Sequence, residues 1–416
     1  MATFKFFEGN LGFFGYSQLA NYVVAQRSDA TTVLDWDTGL GTLDPTHFAA
    51  HVTLTYASYA SYVVEDGVNA GETRVTAGTL TGVSYSDAAG AMLLSITGLS
   101  VRLPVFMAAL GRGDSFGCWQ TLNSAGSSIT GSNSAAGPGH AGTGDVIETT
   151  MGNDTVSALG GDDFVQDRGG ADSYFGGSGF DTLSYDGWNF RPWAFGQGIS
   201  VNQLLGTVRG PDGQIDRIAG FEDITGTFLN DSMRGNNGAN RFEGGAGADY
   251  FDGRGGRDTV SYASDAGWGG TDGIRVNLAA SSVRDGFGYI DKIYNVEIII
   301  GTGVRDTFFD NNADNSFDGG AGNDTMHFTG GNDLGHGGAG GDTFVFDGSF
   351  SDDTVDDFSS AEGDSLRISA ASKFSDLVLT DIDTDDGAAT LITFGSSSVT
   401  LIGIVAASLH ASDFGF

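Results

Sequence analysis

An acidic residue returns every ninth position through long stretches of this chain, with an apolar residue locked two places behind it. Asp145, Asp154, Asp163, Asp172 and Asp181 are followed by Ile147, Val156, Val165, Tyr174 and Leu183. The comb returns at Asp231, Asn240, Asp249 and Asp258, and again at Asp306, Asn315, Asp324, Asp333 and Asp342. Its cleanest units are GGSGFDTLS (Gly176 to Ser184), GGAGADYFD (Gly244 to Asp252) and GGAGNDTMH (Gly319 to His327). The pattern is G-G-x-G-x-D-x-U-x, with U a large apolar residue. Glycines permit a tight turn whose carbonyls point inward. The x-U-x triplet makes a three-residue strand with one side chain facing a core. A flexible low-complexity tract would not hold the apolar position in register through five consecutive units.

The aspartate of each unit supplies a hard anionic oxygen, the donor type that Ca²⁺ prefers. These units resemble the RTX proteins, the calcium-binding repeat family exported by bacterial type I secretion. The resemblance implies a parallel β-roll with two nonapeptides per turn. It also implies several Ca²⁺ ions held between adjacent turns by glycine-loop carbonyls and aspartates. Carried onto this chain, the implied ligands are Asp145, Asp154, Asp163, Asp172, Asp181, Asp231, Asp249, Asp258, Asp306, Asp324, Asp333 and Asp342. With them stand the loop glycines Gly176, Gly177, Gly179, Gly244, Gly245, Gly247, Gly319, Gly320 and Gly322. Asn240 and Asn315 depart from the pattern and should make weaker sites. Gly335, in the apolar position after Asp333, should leave a thin spot in the core.

Composition fits this architecture. The 53 acidic and 19 basic residues of the 416-residue chain leave a formal charge of −34, which repels nucleic acid and anionic membranes and attracts divalent cations. Aromatics at 11% are too many for a disordered chain. Cys118 stands alone, so no intramolecular disulfide forms. The opening MATFKFFEGNLGFF lacks the basic and apolar regions of a cleaved signal, and no apolar run is long enough for a transmembrane segment. Residues 342–369 instead resemble the segment that closes the roll in type I secreted exoproteins, and SLHASDFGF resembles their uncleaved C-terminal export signal. That likeness implies the type I secretion apparatus as a partner, and a secreted or cell-surface location on a Gram-negative bacterium.

Residues 1–125 lack the nonapeptide and read as a β domain. Alternating segments run through His51 to Val64, TRVTAGTLTGVSYS and AMLLSITGLSVRLPVF, and Tyr16 to Gln26 reads as a short amphipathic helix. SSITGS (Ser127 to Ser132) already falls into the roll's register. Residues 185–225 and 262–300 break the comb but match each other: GISVN and IDRI recur as GIRVN and IDKI, 75 residues later. They should continue the roll with metal-free turns. Trp188, Trp193 and Trp268 lie in their loops, where aromatics cap a core or offer a binding patch.

Several motifs imitate chemistry. GDSFG (Gly113 to Gly117) has the spacing of a nucleophile elbow around Ser115, but no good helix follows it. GDSL (Gly363 to Leu366) sits where a closing turn is expected. DIDTDDG (Asp381 to Gly387) has its glycine one place late for an EF-hand, so a solvated acidic turn is the better reading. The six histidines form no H-E-x-x-H pair.

The chain thus reads as all-β, with an N-terminal β domain (1–125), an RTX β-roll (126–346) and a C-terminal β cap carrying the export signal (347–416). The expected function is that of a secreted, calcium-binding structural protein. It would self-associate or attach to a cell surface or extracellular matrix, as in a surface layer, filament or adhesive layer. The rival readings are an exported hydrolase with its active site in residues 1–125, and a carbohydrate-binding exoprotein.

Overall fold

Each x-U-x triplet becomes a strand of about three residues, and the glycine turns between triplets stack the strands into parallel ladders. In the computed structural model the described residues are 2–6, 22–27, 31–36, 51–63, 73–86, 92–102, 127–130, 146–149, 151–187, 196–348 and 350–416. They are nearly all strand and turn. The chain divides into two compact units, Met1–Phe190 with Gly206–Asp223, and Arg191–Leu205 with Ile224–Phe416.

In the first unit, Val146–Glu148, Phe164–Gln166 and Thr182–Ser184 run parallel, so Ile147, Val165 and Leu183 face one another across successive turns. The intervening nonapeptides build a second parallel ladder, in which Ile129, Val156, Tyr174 and Ile218 are in register. Two nonapeptides therefore complete one turn, as the resemblance implies, and Ser127–Thr130 already belongs to the roll's register. The N-terminal strands form an antiparallel series: Tyr22–Arg27, Thr31–Trp36, His51–Val63, Thr73–Ser86 and Met92–Arg102. Ala2–Phe6 joins this series to the roll, antiparallel to Met92–Arg102 and parallel to Ser127–Thr130. The helix expected over Tyr16 to Gln26 is not formed at its C-terminal end. Tyr22–Arg27 is a strand paired with Thr31–Trp36, consistent with the β-branched Val23 and Val24 and an adjacent hairpin partner.

In the second unit one sheet has ten strands. Its spatial order is Ser200–Asn202, Ser232–Arg234, Tyr250–Asp252, Ile290–Tyr294, Ser282–Arg284, Arg275–Asn277, Thr307–Phe309, Thr325–Phe328, Thr343–Phe346 and Ser365–Ile368. The opposing sheet runs Arg241–Glu243, Thr259–Ser261, Ile298–Ile300, Ser316–Asp318, Leu334–His336, Asp352–Val355 and Ser397–Ile402, and ends in the antiparallel hairpin Val378–Thr384 and Gly387–Phe394.

The 262–300 segment does more than continue the roll. Arg275–Asn277, Ser282–Arg284 and Ile290–Tyr294 form an antiparallel switchback, so the chain lays down three strands in one sheet where an ordinary turn lays down one. The reason is a pair of tight turns. Ser281 takes a left-handed conformation (φ 52°) after Leu278–Ala280, and Asp285 closes the second turn by accepting from the amides of Phe287 and Tyr289.

The core is a file of aromatic rings. Phe308 and Phe317 lie 5.1 Å apart, Phe317 and Phe328 5.9 Å, and Phe328 and Phe346 5.3 Å. Gly335 is not the thin spot the sequence suggests. A Cβ there would lie 2.9 Å from Phe328 Cζ and 3.1 Å from Phe344 Cε1, so those two rings fill the missing volume. At the end of the chain Phe414 is buried, bridges Leu366 and stacks 5.1 Å from Phe374.

Candidate metal centres

The described comb aspartates are buried. Asp154, Asp163, Asp172, Asp181, Asp231, Asp249, Asp258, Asp306, Asp324, Asp333 and Asp342 are all nearly inaccessible to solvent. Asp145 falls outside the described residues. One regular contact explains the placement of seven of them: Oδ1 accepts the backbone amide of the comb residue one turn earlier. In the first unit the amide of Asp163 donates to Asp181 at 2.9 Å, and that of Asp154 to Asp172 at 2.5 Å. In the second unit the pairs are Asp231 to Asp249 (2.8 Å), Asn240 to Asp258 (2.8 Å), Asp306 to Asp324 (2.7 Å), Asn315 to Asp333 (2.7 Å) and Asp324 to Asp342 (2.8 Å).

The second oxygen separates the aspartates into two groups. Oδ2 of Asp181, Asp249, Asp258, Asp324, Asp333 and Asp342 is buried and meets no hydrogen-bond donor. These oxygens point into the glycine turns. A Cβ built on Gly319 would lie 2.4 Å from Asp324 Oδ2, on Gly244 2.3 Å from Asp249 Oδ2, and on Gly176 2.6 Å from Asp181 Oδ2. The first glycine of a unit is thus needed for room. The second and fourth serve the backbone, as at Gly320 (φ 84°) and Gly322 (φ 140°).

Other carboxylates are closed by the protein itself. Asp231 accepts from the amides of Ile199 (2.6 Å) and Thr227 (2.7 Å) and from the Thr227 hydroxyl. Asp306 is held identically by Ile274 and Thr302. The Tyr174 hydroxyl lies 2.7 Å from both Asp167 and Asp172, Tyr185 donates to Asp216 at 2.9 Å, and Tyr262 donates to Asp291 at 2.9 Å. In the first unit carboxylate oxygens of Asp167, Asp172 and Asp216 lie within 4.8 Å of one another. Burial pushes Asp172 up to about 9 and Asp216 to about 7, so at neutral pH this cluster retains protons.

Six carboxylates that the nine-residue comb misses continue the amide ladder. Asp216 and Glu222 accept from Asp172 and Asp181 in the first unit. Asp291 and Glu297 do the same for Asp249 and Asp258, and Asp353 and Asp364 for Asp333 and Asp342. The signal for four of them was the 75-residue repeat, which aligns Asp216 with Asp291 and Glu222 with Glu297. Asp353 Oδ2 is a further buried oxygen without a donor, and so is Asp285 Oδ2.

Asn240 and Asn315 occupy ladder positions, each accepting an amide from four residues upstream. The GDSL serine motif is a turn: Asp364 accepts from the amides of Asp342 and Ser359. DIDTDDG forms the tip of the Val378–Thr384 and Gly387–Phe394 hairpin. Trp268 packs 6.0 Å from Phe228, while Trp188, Trp193 and Ser115 fall outside the described residues.

The donor set fits calcium. Leaving one buried polar group unsatisfied costs about 1–3 kcal/mol, and more when it is charged. The six comb oxygens alone would then cost roughly as much as the whole net stability of a domain, about 5–15 kcal/mol. A divalent cation that prefers oxygen removes that cost.

Residues 148–183, 225–260 and 300–335 match the family described as RTX calcium-binding nonapeptide repeat (4 copies). No curated protein matches the chain. Among solved structures, the chain is similar to the extracellular lipase LipA from Serratia marcescens, at 20% identity and a TM-score of 0.19. The match covers 65% of this chain and only 38% of the lipase. The three matched stretches are RTX calcium-binding nonapeptide repeats, a repeat that binds Ca²⁺ at several sites.

Proposed function

We propose that this is an exported structural protein whose roll folds on meeting calcium outside the cell and then associates with further copies or with the cell surface. The observation that carries this reading is the set of buried carboxylate oxygens without donors at Asp181, Asp249, Asp258, Asp324, Asp333 and Asp342. Extracellular sites of millimolar-range affinity are empty at cytosolic calcium levels, so the chain stays unfolded and fit for export until it leaves. The residues that would hold the ions are these aspartates, with Asp154, Asp163 and Asp353, and the carbonyls of the glycine turns. The ion supplies charge compensation and cross-links turns; it carries out no reaction.

The roll accounts for most of the second unit, and repeated faces of this kind favour assembly. Bound calcium also lowers the charge of −34 that keeps copies apart. Circular dichroism across a calcium titration, followed by electron microscopy of the same samples, tests the reading. Appearance of β structure and then of filaments or sheets is expected. A roll fully folded in excess chelator would overturn the calcium requirement, and a strictly monomeric protein in calcium would overturn assembly.

A further inference from the structure

The ten-stranded sheet of the second unit gathers the cations of an acidic chain onto one outer surface. Residues 224–416 contain ten lysines and arginines. Five of them, Arg234, Arg275, Arg284, Lys292 and Arg367, occupy outward positions on strands of this sheet, alternating with the buried Met233, Val276, Val283, Ile293 and Leu366. The same face carries one outward strand acid, Asp252, which accepts from Asn295 at 2.7 Å. Its aromatics stand beside the cations: Arg234 lies 4.8 Å over the Tyr250 ring and Arg275 4.9 Å over Phe309. Tyr250 and Tyr294 are 5.5 Å apart, and Ile290 and Tyr294 are substantially exposed. Arginine and tyrosine held in fixed geometry are the residues that dominate protein–protein contacts.

The opposing sheet has the reverse character. Its outward positions hold Asp318 and Asp352, with Asp356, paired with His336 at 2.8 Å, just beyond the last of these strands. Arg241, the one arginine outward there, is tied to Glu243. Ile298, Ile300 and Leu334 lie between them, half-buried.

We propose that the cationic face of one copy docks on the acidic outer face of a second copy. This rests on the reading that the protein self-associates, and it names the surface. The pairing joins two different faces, so it is heterologous; unless rotation closes a ring it propagates into a filament. Charge selects the partner: every copy presents a complement to the cationic face, and salt should weaken the contact.

The test uses the full chain in saturating calcium, followed by sedimentation velocity. Wild type should form oligomers at low salt that dissociate at high salt. The R275E/K292E/R367E variant and the D318K/D352K variant should each remain monomeric, with calcium-induced circular dichroism unchanged. Mixing the two should restore association, because each then offers the other a complementary face. If the triple arginine and lysine variant assembles like wild type, self-association stands and this surface is wrong. If the mixture stays monomeric, the acidic partner face is wrong. A wild type that is monomeric at every salt concentration removes the assembly reading as well. If that monomer binds heparin in a Lys292-dependent manner, the face belongs to a polyanionic glycan and the proposal falls.

Discussion

The amide of Asp324 donates to Oδ1 of Asp342 at 2.8 Å, while Oδ2 of the same carboxylate is buried without a donor. One half of the side chain is structural and the other half is free to ligate a cation. This division predicts which substitutions act through calcium and which act through the fold.

Asp324→Asn keeps an acceptor for the Asp306 amide but replaces the unpartnered oxygen with an amide group. It should lower the number of bound calcium ions and raise the calcium concentration needed for folding. Asp306→Asn instead disturbs bonds to Thr302 and Ile274. It should cost about 1–3 kcal/mol of stability with the calcium stoichiometry intact. Equilibrium dialysis and chemical denaturation of the two variants separate these outcomes; equal losses of calcium would refute the division.

Asn315→Asp should gain what its neighbours have. Asn315 already accepts from Asn311 and donates its amide to Asp333, and its Nδ2 is buried without a partner. An oxygen there should tighten calcium binding and lower the folding midpoint. Asp385→Ala, in the exposed hairpin turn, should leave the midpoint where it was.

Acid should fold the chelated roll. Burial raises Asp258 to about 6 and Asp324 and Asp353 to about 7, above the ordinary value of 3.8. A carboxyl whose folded pKa is the higher one stabilises the fold fully below its unfolded value, and that contribution is lost as pH rises through the folded value. In chelator, β structure should therefore increase as pH falls from about 8 to about 5. Calcium competes with those protons, so its affinity should fall as pH falls through the same window. Isothermal titration at several pH values checks both signs, and a chelated roll that gains stability with rising pH would contradict them.

Tyr262→Phe removes the hydroxyl that closes Asp291 at 2.9 Å in a buried setting. The loss should be about 1–3 kcal/mol. It also leaves Asp291 resembling Asp324, so thermal stability should become more dependent on calcium than in wild type. The comparison is a melting curve of each protein in calcium and in chelator.

Much of this was legible in the chain. Asp and the apolar residue two places on repeat at nine because two turns of glycine and two triplets make one coil, and Val165 meets Leu183 as that period requires. The carboxylates at Asp353 and Asp364 were not legible by period, because insertions of unequal length carry them to the same place in the ladder, while Asp216 and Asp291 escape the nine-residue period and show only in the 75-residue repeat. Nor could spacing reveal that Asp231 and Asp306 are closed by a threonine four residues earlier. That closure depends on a turn conformation, which the comb does not encode. Gly335 misled for a related reason: the volume it vacates is filled by Phe328, from the neighbouring ladder.

The hydroxyl-closed carboxylates act like bulkheads in a hull. Between Asp249 and Asp258 on one side and Asp324, Asp333 and Asp342 on the other stand Asp291 and Asp306, each completed by the protein's own Tyr262 or Thr302. These turns have their hydrogen bonds whether or not an ion arrives. As calcium rises, compartments on either side can fill independently, and an empty one need not flood its neighbour. Such a roll would tolerate uneven supply of its ion, standing in sections where an unbroken comb would stand or fall as a whole.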